Sequence, residues 1–364
     1  MKKIYIEFFL SILVLFTICS CGAKINHNSL EESIYNSQVN ATDTSISTSG
    51  PSIKTSSTST QVTGSKTSGS TRSGKTSSLQ ALQSTEVETE EELQLIICYP
   101  GFVTKAVTLS YDDGNLWDRK LTDIFKKYNL KATFNIQSGA LSEKEKDQNN
   151  DYSSGYATVS AEEVKELYSS FEVAGHTKSH KDLTKLSLSE LIEEITDDKR
   201  RLEELTGTRV DGLAYPGGIY DSIIVNHLKK LNLLYARTVA SSHNYYLPSD
   251  FLLWNPTCRD DDRKLEEMAV KFIKESYDDC KVFYVWGHSV ELEQNKSWAR
   301  MEKFCSSISG KKDIWYATNI EICRYIKATR ELTITGNKVK NTTSMTLYVK
   351  KNGVNILLTP GKTV

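Results

Sequence analysis

Val107-Thr108-Leu109-Ser110-Tyr111-Asp112-Asp113-Gly114 is an apolar, β-branched run that ends on two adjacent carboxylates and a glycine. Val107–Tyr111 reads as a buried strand, and the helical spacing of Trp117–Tyr128 follows it within a few residues. The same alternation continues outward. Ala132–Ile136 and Phe171–Ala174 read as strands, and between them Ser160 with Glu163 three residues on has the capping-box pattern of a helix start. Leu188–Thr206 is a long amphipathic helix that stops at Gly207, a C-terminal signal. Further strands are expected at Leu213–Tyr215, Tyr235–Val239, Val282–Trp286 and Ile314–Ala317. Helices are expected at Asp221–Leu231, Leu265–Tyr277, Trp298–Ile308 and Ile320–Lys327. Repeated β–α alternation implies parallel strands with helices outside. Seven or eight units in about 230 residues fit a (β/α) barrel, distorted and TIM-like, better than an open doubly wound sheet. Beyond it, Glu331–Thr335, Met345–Val349 and Val354–Leu358 read as short strands of a small β appendage with turns at Asn352-Gly353 and Pro360-Gly361.

Upstream the composition changes. Lys2 and Lys3 precede an apolar run, Phe8–Ile18, of about 11 residues, too short to span a membrane, which takes ~20. It ends in Ile18-Cys19-Ser20-Cys21-Gly22, which resembles a bacterial lipobox. That resemblance implies cleavage before Cys21 and lipid on its sulfur, with the protein exported and held at the bacterial cell membrane or surface. Between Ala41 and Gln80, 23 of 40 residues are Ser or Thr, and no aromatic lies between Tyr35 and Tyr99. Such a stretch cannot bury enough apolar surface to offset chain entropy. The expected organisation is a signal peptide at 1–20, an anchored disordered linker at 21–94, a catalytic domain at 95–328 and a β extension at 329–364. A tether of roughly 60 residues reaches ~40–45 Å.

Composition excludes several classes. The net charge of -1 over 364 residues gives no basic face for neutralising phosphates, which argues against nucleic acid as a partner. Hydrophobic residues make up 38% and mean hydropathy is -0.41, which excludes a polytopic membrane protein. Seven cysteines are too few for a disulfide scaffold at this length. The five beyond the leader, Cys98, Cys258, Cys280, Cys305 and Cys323, lack Cys-x-x-Cys spacing and read as buried thiols.

Three strand ends carry the chemistry, and in a (β/α) barrel the C-terminal strand ends face the active site. Asp112-Asp113 repel each other unless a cation or a shared proton relieves them. In Gly175-His176-Thr177-Lys178-Ser179-His180, two imidazoles four apart can grip one metal. Val285-Trp286-Gly287-His288-Ser289 ends an apolar strand on a histidine of near-neutral pKa, a fit general acid. Taken singly, an Asp-Asp-Gly turn, a pair of surface histidines and a core histidine are equally ordinary readings.

In order and spacing the three resemble the polysaccharide deacetylase family (the NodB-like domain of carbohydrate esterase family 4) over about Val103–Ala328. Leu109–Gly114 is similar to its first motif, Gly175–His180 to its second, Ala214-Tyr215-Pro216-Gly217-Gly218 to its third, and Val285–Ser289 to its last. The resemblance implies a divalent metal on Asp113, His176 and His180, with Asp112 as general base and His288 as general acid. It also implies a groove wall of Tyr215, Pro216 and Gly217, with the Gly217 N–H at the oxyanion. Zinc leads as the metal, and Co2+, Ni2+ or Fe2+ suit the same donors. The implied substrate is an acetylated cell-wall or surface polysaccharide, worked on by a monomer. Two departures stand out. The arginine that opens the third motif is Ala214 here, and the acidic-plus-Trp motif is unclear. Trp254 and Arg259 lie in its region, as candidate substrate contacts, and Arg259 or Asp260 is a candidate replacement for the absent partners. The alternatives are an O-acetyl esterase and a degenerate glycan-binding surface lipoprotein; an iron oxygenase with the same donors is disfavoured by the β–α alternation.

Overall fold

In the computed structural model the described residues are 93–142 and 157–364. The leader, Cys21 and nearly all of the expected linker lie outside them. The described residues fall within one unit, Thr85–Val364. Its centre is β2 (Lys105–Asp112), buried along its whole length. One edge of β2 pairs in parallel with β8 (Lys281–Gly287) over seven positions. The other edge is shared, with β9 (Ile314–Tyr316) beside Lys105–Val107 and β3 (Thr133–Ile136) beside Ser110–Asp112. From β3 the parallel sheet runs on through β4 (Glu172–Gly175), β5 (Gly212–Ala214) and β6 (Tyr235–Arg237), and from β8 to the two-residue β7 (Cys258–Arg259). The result is a distorted (β/α) barrel. Its two outer ends approach through Trp254, whose N–H donates to Ala236 O and whose carbonyl accepts from Thr238 N, four residues before β7.

Side chains alternate along a strand, so parity decides what each residue meets. On β2, Val107, Leu109 and Tyr111 face the helices, packing with Phe125, Phe134 and Phe283. Thr108, Ser110 and Asp112 face inward. Thr108 donates to Asn319 at 2.8 Å, and Asn135 donates to Ser110 Oγ at 2.8 Å. On β4, β6 and β8 the inward parity delivers His176, Arg237, Trp286 and His288 to one end of the barrel.

Helices begin and end where local chemistry dictates. The helices are α1 (Asp118–Lys127), α2 (Val164–Leu167), α3 (Leu188–Thr206), α4 (Ser222–Lys230), α5 (Leu265–Lys274), α6 (Ser289–Gln294), α7 (Trp298–Ile308) and α8 (Asn319–Arg330). α3 starts on a full Ser187/Glu190 capping box and stops at Gly207 in left-handed backbone, φ 72°. The Ser160/Glu163 pair forms its hydrogen bonds, but they lead only into α2, a single turn.

The β appendage consists of a hairpin, β10 (Thr333–Thr335) and β11 (Lys338–Lys340), with β12 (Leu347–Lys351) and β13 (Val354–Leu358). β12 pairs antiparallel with β1 (Leu95–Cys98), so the first and last described segments share a sheet. Leu347, Val349 and Leu358 join Tyr99 and Tyr325 in one apolar cluster. All five described cysteines are buried free thiols. Among the described residues no helix is long and apolar enough to cross a membrane.

Candidate active site

Asp112 is the last residue of β2 and only 2% exposed. Asn135 Nδ2 donates to its Oδ1 at 2.8 Å, and Arg237, on β6, forms an ion pair with its Oδ2. Burial alone would raise this carboxyl. Arg237 first, then His176, His288 and the Asn135 bond, outweigh burial and hold it below the usual carboxylate range. An ionised, proton-accepting oxygen is thus kept in a nearly dry place. Asp113 follows in left-handed backbone, φ 82°, with its carboxylate, like that of Asp112, within 4 Å of both His176 Nε2 and His288 Nε2. Gly114, also at positive φ, lies where a Cβ would sit 3.0 Å from Ile136.

His176 is fully buried. Its Nδ1 lies 2.8 Å from the carbonyl of Ala214, an acceptor only, so Nδ1 carries the proton and Nε2 the lone pair. That Nε2 has no hydrogen-bond partner, and it lies 3.6 Å from Asp113 Oδ1. Burial lowers the pKa of His176 in spite of the two aspartates. His180 sits 4.6 Å from it, ring centre to ring centre. Asp113, His176 and His180 each offer one ligand atom, all within 4.8 Å of one another. A buried, unpaired imidazole nitrogen in its lone-pair tautomer beside a second imidazole and a carboxylate is a donor set suited to a divalent cation.

His288 closes the opposite side. Its Nε2 lies 3.8 Å from Asp112 Oδ2 and 3.9 Å from Asp113 Oδ2. Its Nδ1 is 3.5 Å from Glu291 Oε1, an ion-pair separation. Burial would lower this imidazole, but Glu291 above all, then Asp112 and Asp113, hold it above its ordinary value. Arg259 pairs with Glu291. The guanidiniums of Arg237 and Arg259 lie 4.3 and 5.4 Å from the centre of the Trp286 ring.

Two members of this arrangement escape the motif reading. Arg237, not Arg259 or Asp260, reaches Asp112; Arg259 is spent on Glu291, and Asp260 accepts from Tyr111 Oη at 3.1 Å. The available signal was a charged residue inside the apolar run Tyr235–Val239, since a buried guanidinium demands a partner. The partner of His288 is Glu291, one helical turn along α6. In the third-motif loop, Gly217 is at φ 59° and exposed at the surface. Tyr215 and Pro216 are buried, and Tyr215 Oη donates to Leu252 O. Tyr220 stacks on Tyr215 at 4.9 Å and is 40% exposed. Trp254 is 1% exposed, packed edge-on against Phe251, Tyr235 and Tyr284. The expected groove-wall residue Tyr215 and the candidate substrate contact Trp254 are therefore core residues, and Tyr220 is the ring that faces solvent.

Paired strand-end carboxylates, a His-x-x-x-His loop and a facing histidine, all at the C-terminal mouth of a parallel barrel, have the form of a metal-assisted hydrolase site. The family comparison makes this specific. Residues 102–236 match the polysaccharide deacetylase family model. The match takes in Asp112, Asp113, His176, His180 and the third-motif loop, and ends one residue before Arg237. Among solved structures the chain is similar to a polysaccharide deacetylase from Bacillus cereus at 24% identity, covering 40% of this chain and 44% of that one, TM-score 0.32. It is similar to a Streptococcus pyogenes deacetylase in complex with acetate at 23%, covering 40% and 61%, TM-score 0.33. It is similar to the Bacillus subtilis peptidoglycan deacetylase PdaC at 18%, covering 63% and 94%, TM-score 0.39. The chain thus spans about half the length of the first two. No curated protein matches the chain.

Proposed function

We propose that the protein is a metal-dependent deacetylase that removes N-acetyl groups from a cell-wall or surface polysaccharide of the N-acetylglucosamine type. The observation that carries this reading is the buried, unpaired Nε2 of His176, grouped with Asp113 and His180 beside an ionised Asp112. Asp113, His176 and His180 would hold the metal, zinc first among the candidates. When bound, the metal supplies a Lewis acid for the acetyl carbonyl and acidifies a water. Asp112 takes the proton of the attacking water, with Arg237 and Asn135 fixing the carboxylate and its Oδ2 3.8 Å from His288 Nε2. The exposed Gly217 turn offers a backbone N–H to the developing oxyanion. His288, whose pKa Glu291 raises, gives a proton to the departing amine, a poor leaving group unless protonated.

Location follows the leader sequence. Lipid on Cys21 and the Ser/Thr-rich tether would hold the enzyme at the outer face of the membrane, within ~40–45 Å of its substrate. Peptidoglycan is the favoured polymer on that ground.

The test is a metal titration joined to an acetate assay on N-acetylglucosamine oligomers. One metal per chain and acetate release are expected, with Asp112→Asn keeping the metal and losing about 10²–10⁴-fold in rate. Metal without acetate from any acetylated glycan would move the reading to a glycan-binding protein. Acetate from O-acetylated glycans alone would make it an esterase.

A further inference from the structure

α3 buries a stripe that is not purely apolar. Leu191, Ile195 and Leu202 share it with two carboxylates, Glu194 and Asp198, 4% and 1% exposed. Buried carboxylates are costly unless saturated with donors. Here most of the donors come from one place, the loop that bears His176 and His180. His176 N donates to Asp198 Oδ2 at 3.0 Å, and the Thr177 backbone N–H also serves Asp198. Lys178 N donates to the Glu194 carbonyl at 2.9 Å, and Ser179 N to Glu194 Oε2 at 2.8 Å. Ser179 Oγ and Lys181 Nζ close on the same carboxylate. Four successive amides, 176 to 179, are therefore taken up by one helix face.

The loop needs that support. Thr177 and His180 both lie in left-handed backbone, φ 65° and 53°, which side chains with a Cβ adopt reluctantly. The other oxygen of Asp198 accepts from Ser138 N at 2.8 Å, which fixes the loop after β3 to the same point. That loop in turn packs on the Lys178 carbonyl through Gly139, where a Cβ would fall 2.3 Å from the oxygen. Gly175 leaves room for Asp198 in the same way, since a Cβ there would lie 2.9 Å from its Oδ2.

We infer that Glu194 and Asp198 are positioning residues of the metal site: α3 is the mould in which the His176–His180 loop sets, and both carboxylates govern metal affinity without touching the metal. The inference rests on the metal reading above for its function, but the moulding itself does not require it.

Two measurements on the full chain separate the two claims. Zinc affinity is read by chelator competition, and amide hydrogen exchange at residues 176–179 is read on metal-free protein. Glu194→Ala and Asp198→Ala are expected to weaken zinc binding about 10–100-fold and to speed exchange at those amides. Glu194→Gln, which keeps an acceptor oxygen, stays near wild type. Ser179→Ala, at an exposed position, removes a single bond without altering the helix, and weakens zinc roughly threefold even should the alanine variants of α3 fail to fold. Glu204→Ala, on the exposed face of α3, changes nothing. Unchanged zinc affinity and unchanged exchange in Glu194→Ala, Asp198→Ala and Ser179→Ala would overturn the inference. A wild-type chain that binds no zinc would overturn its metal arm together with the metal reading, and the exchange data would then decide the mould alone.

Discussion

Asp112 must stay ionised where almost no water reaches it, and Arg237 is what makes that possible. The two sit on strands separated by β3, β4 and β5, so their pairing is a property of barrel closure rather than of any local motif. Removing one partner of a buried pair costs about 3–5 kcal/mol. Arg237→Met is therefore expected to lower the unfolding free energy, read by urea denaturation, by that order and to cut acetate release, while Arg237→Lys restores part of both. A second buried carboxyl behaves differently. Among the described residues no cation pairs with Asp118; Tyr168 Oη donates to it at 2.7 Å, and burial pushes it up to about 7. The folded state thus binds this proton more tightly than the unfolded chain, whose carboxyl titrates near 3.8. Stability from this group is full at low pH and is lost as pH rises from about 4 through about 7, with a slope of at most about 1.4 kcal/mol per pH unit. Asp118→Asn should flatten the difference in melting temperature across that window, and a difference unchanged by the substitution would refute the assignment. The candidate carboxylates Asp112 and Asp113 and the histidines His176, His180 and His288 were legible in the sequence because they lie at or just beyond strand ends in short motifs. Arg237 and Glu291 were not, because their partners are set by which strands become neighbours and by where a helix starts.

At the scale of the element, ends were legible wherever side chains close them. α3 runs over Leu188–Thr206 and stops at its left-handed glycine as the sequence predicts, the structure adding the Ser187/Glu190 capping box, and α7 matches over Trp298–Ile308. Ser187→Ala is expected to cost about 1 kcal/mol through the lost cap. Gly207→Ala should cost about 1–2 kcal/mol, because a Cβ resists φ 72° although nothing crowds the position. Both are read by thermal denaturation. Elements whose existence depends on a neighbour were not legible. β7 is two residues paired with β8, and the helix expected after Ser160 shrinks to one turn that starts only after Glu163, although Ser160 N and Oγ donate to the Glu163 carboxylate.

At the scale of the whole molecule, β1 and the appendage are one structure. Tyr325 Oη donates to Cys98 O at 2.6 Å and accepts from Tyr348 N at 2.9 Å, which ties α8, β1 and β12 together. Truncation after Arg330 would uncover Tyr99, Trp315 and Tyr325 and leave β1 without its partner. It is expected to lower the melting temperature by several degrees or more and to promote aggregation, measured by calorimetry and light scattering. The pairing of β1 with β12 joins positions about 250 residues apart, a non-local contact that no window of sequence reveals. The barrel beneath was legible because its β–α alternation repeats. The central claim is that this barrel mouth is a metal-dependent site for removing acetyl groups from glycans. Its most direct test is acetate release from N-acetylglucosamine oligomers by the intact protein, stripped with a chelator and then reloaded with zinc. The account predicts no release when stripped and restored release on reloading. Equal release in both states, or none in either, would contradict it.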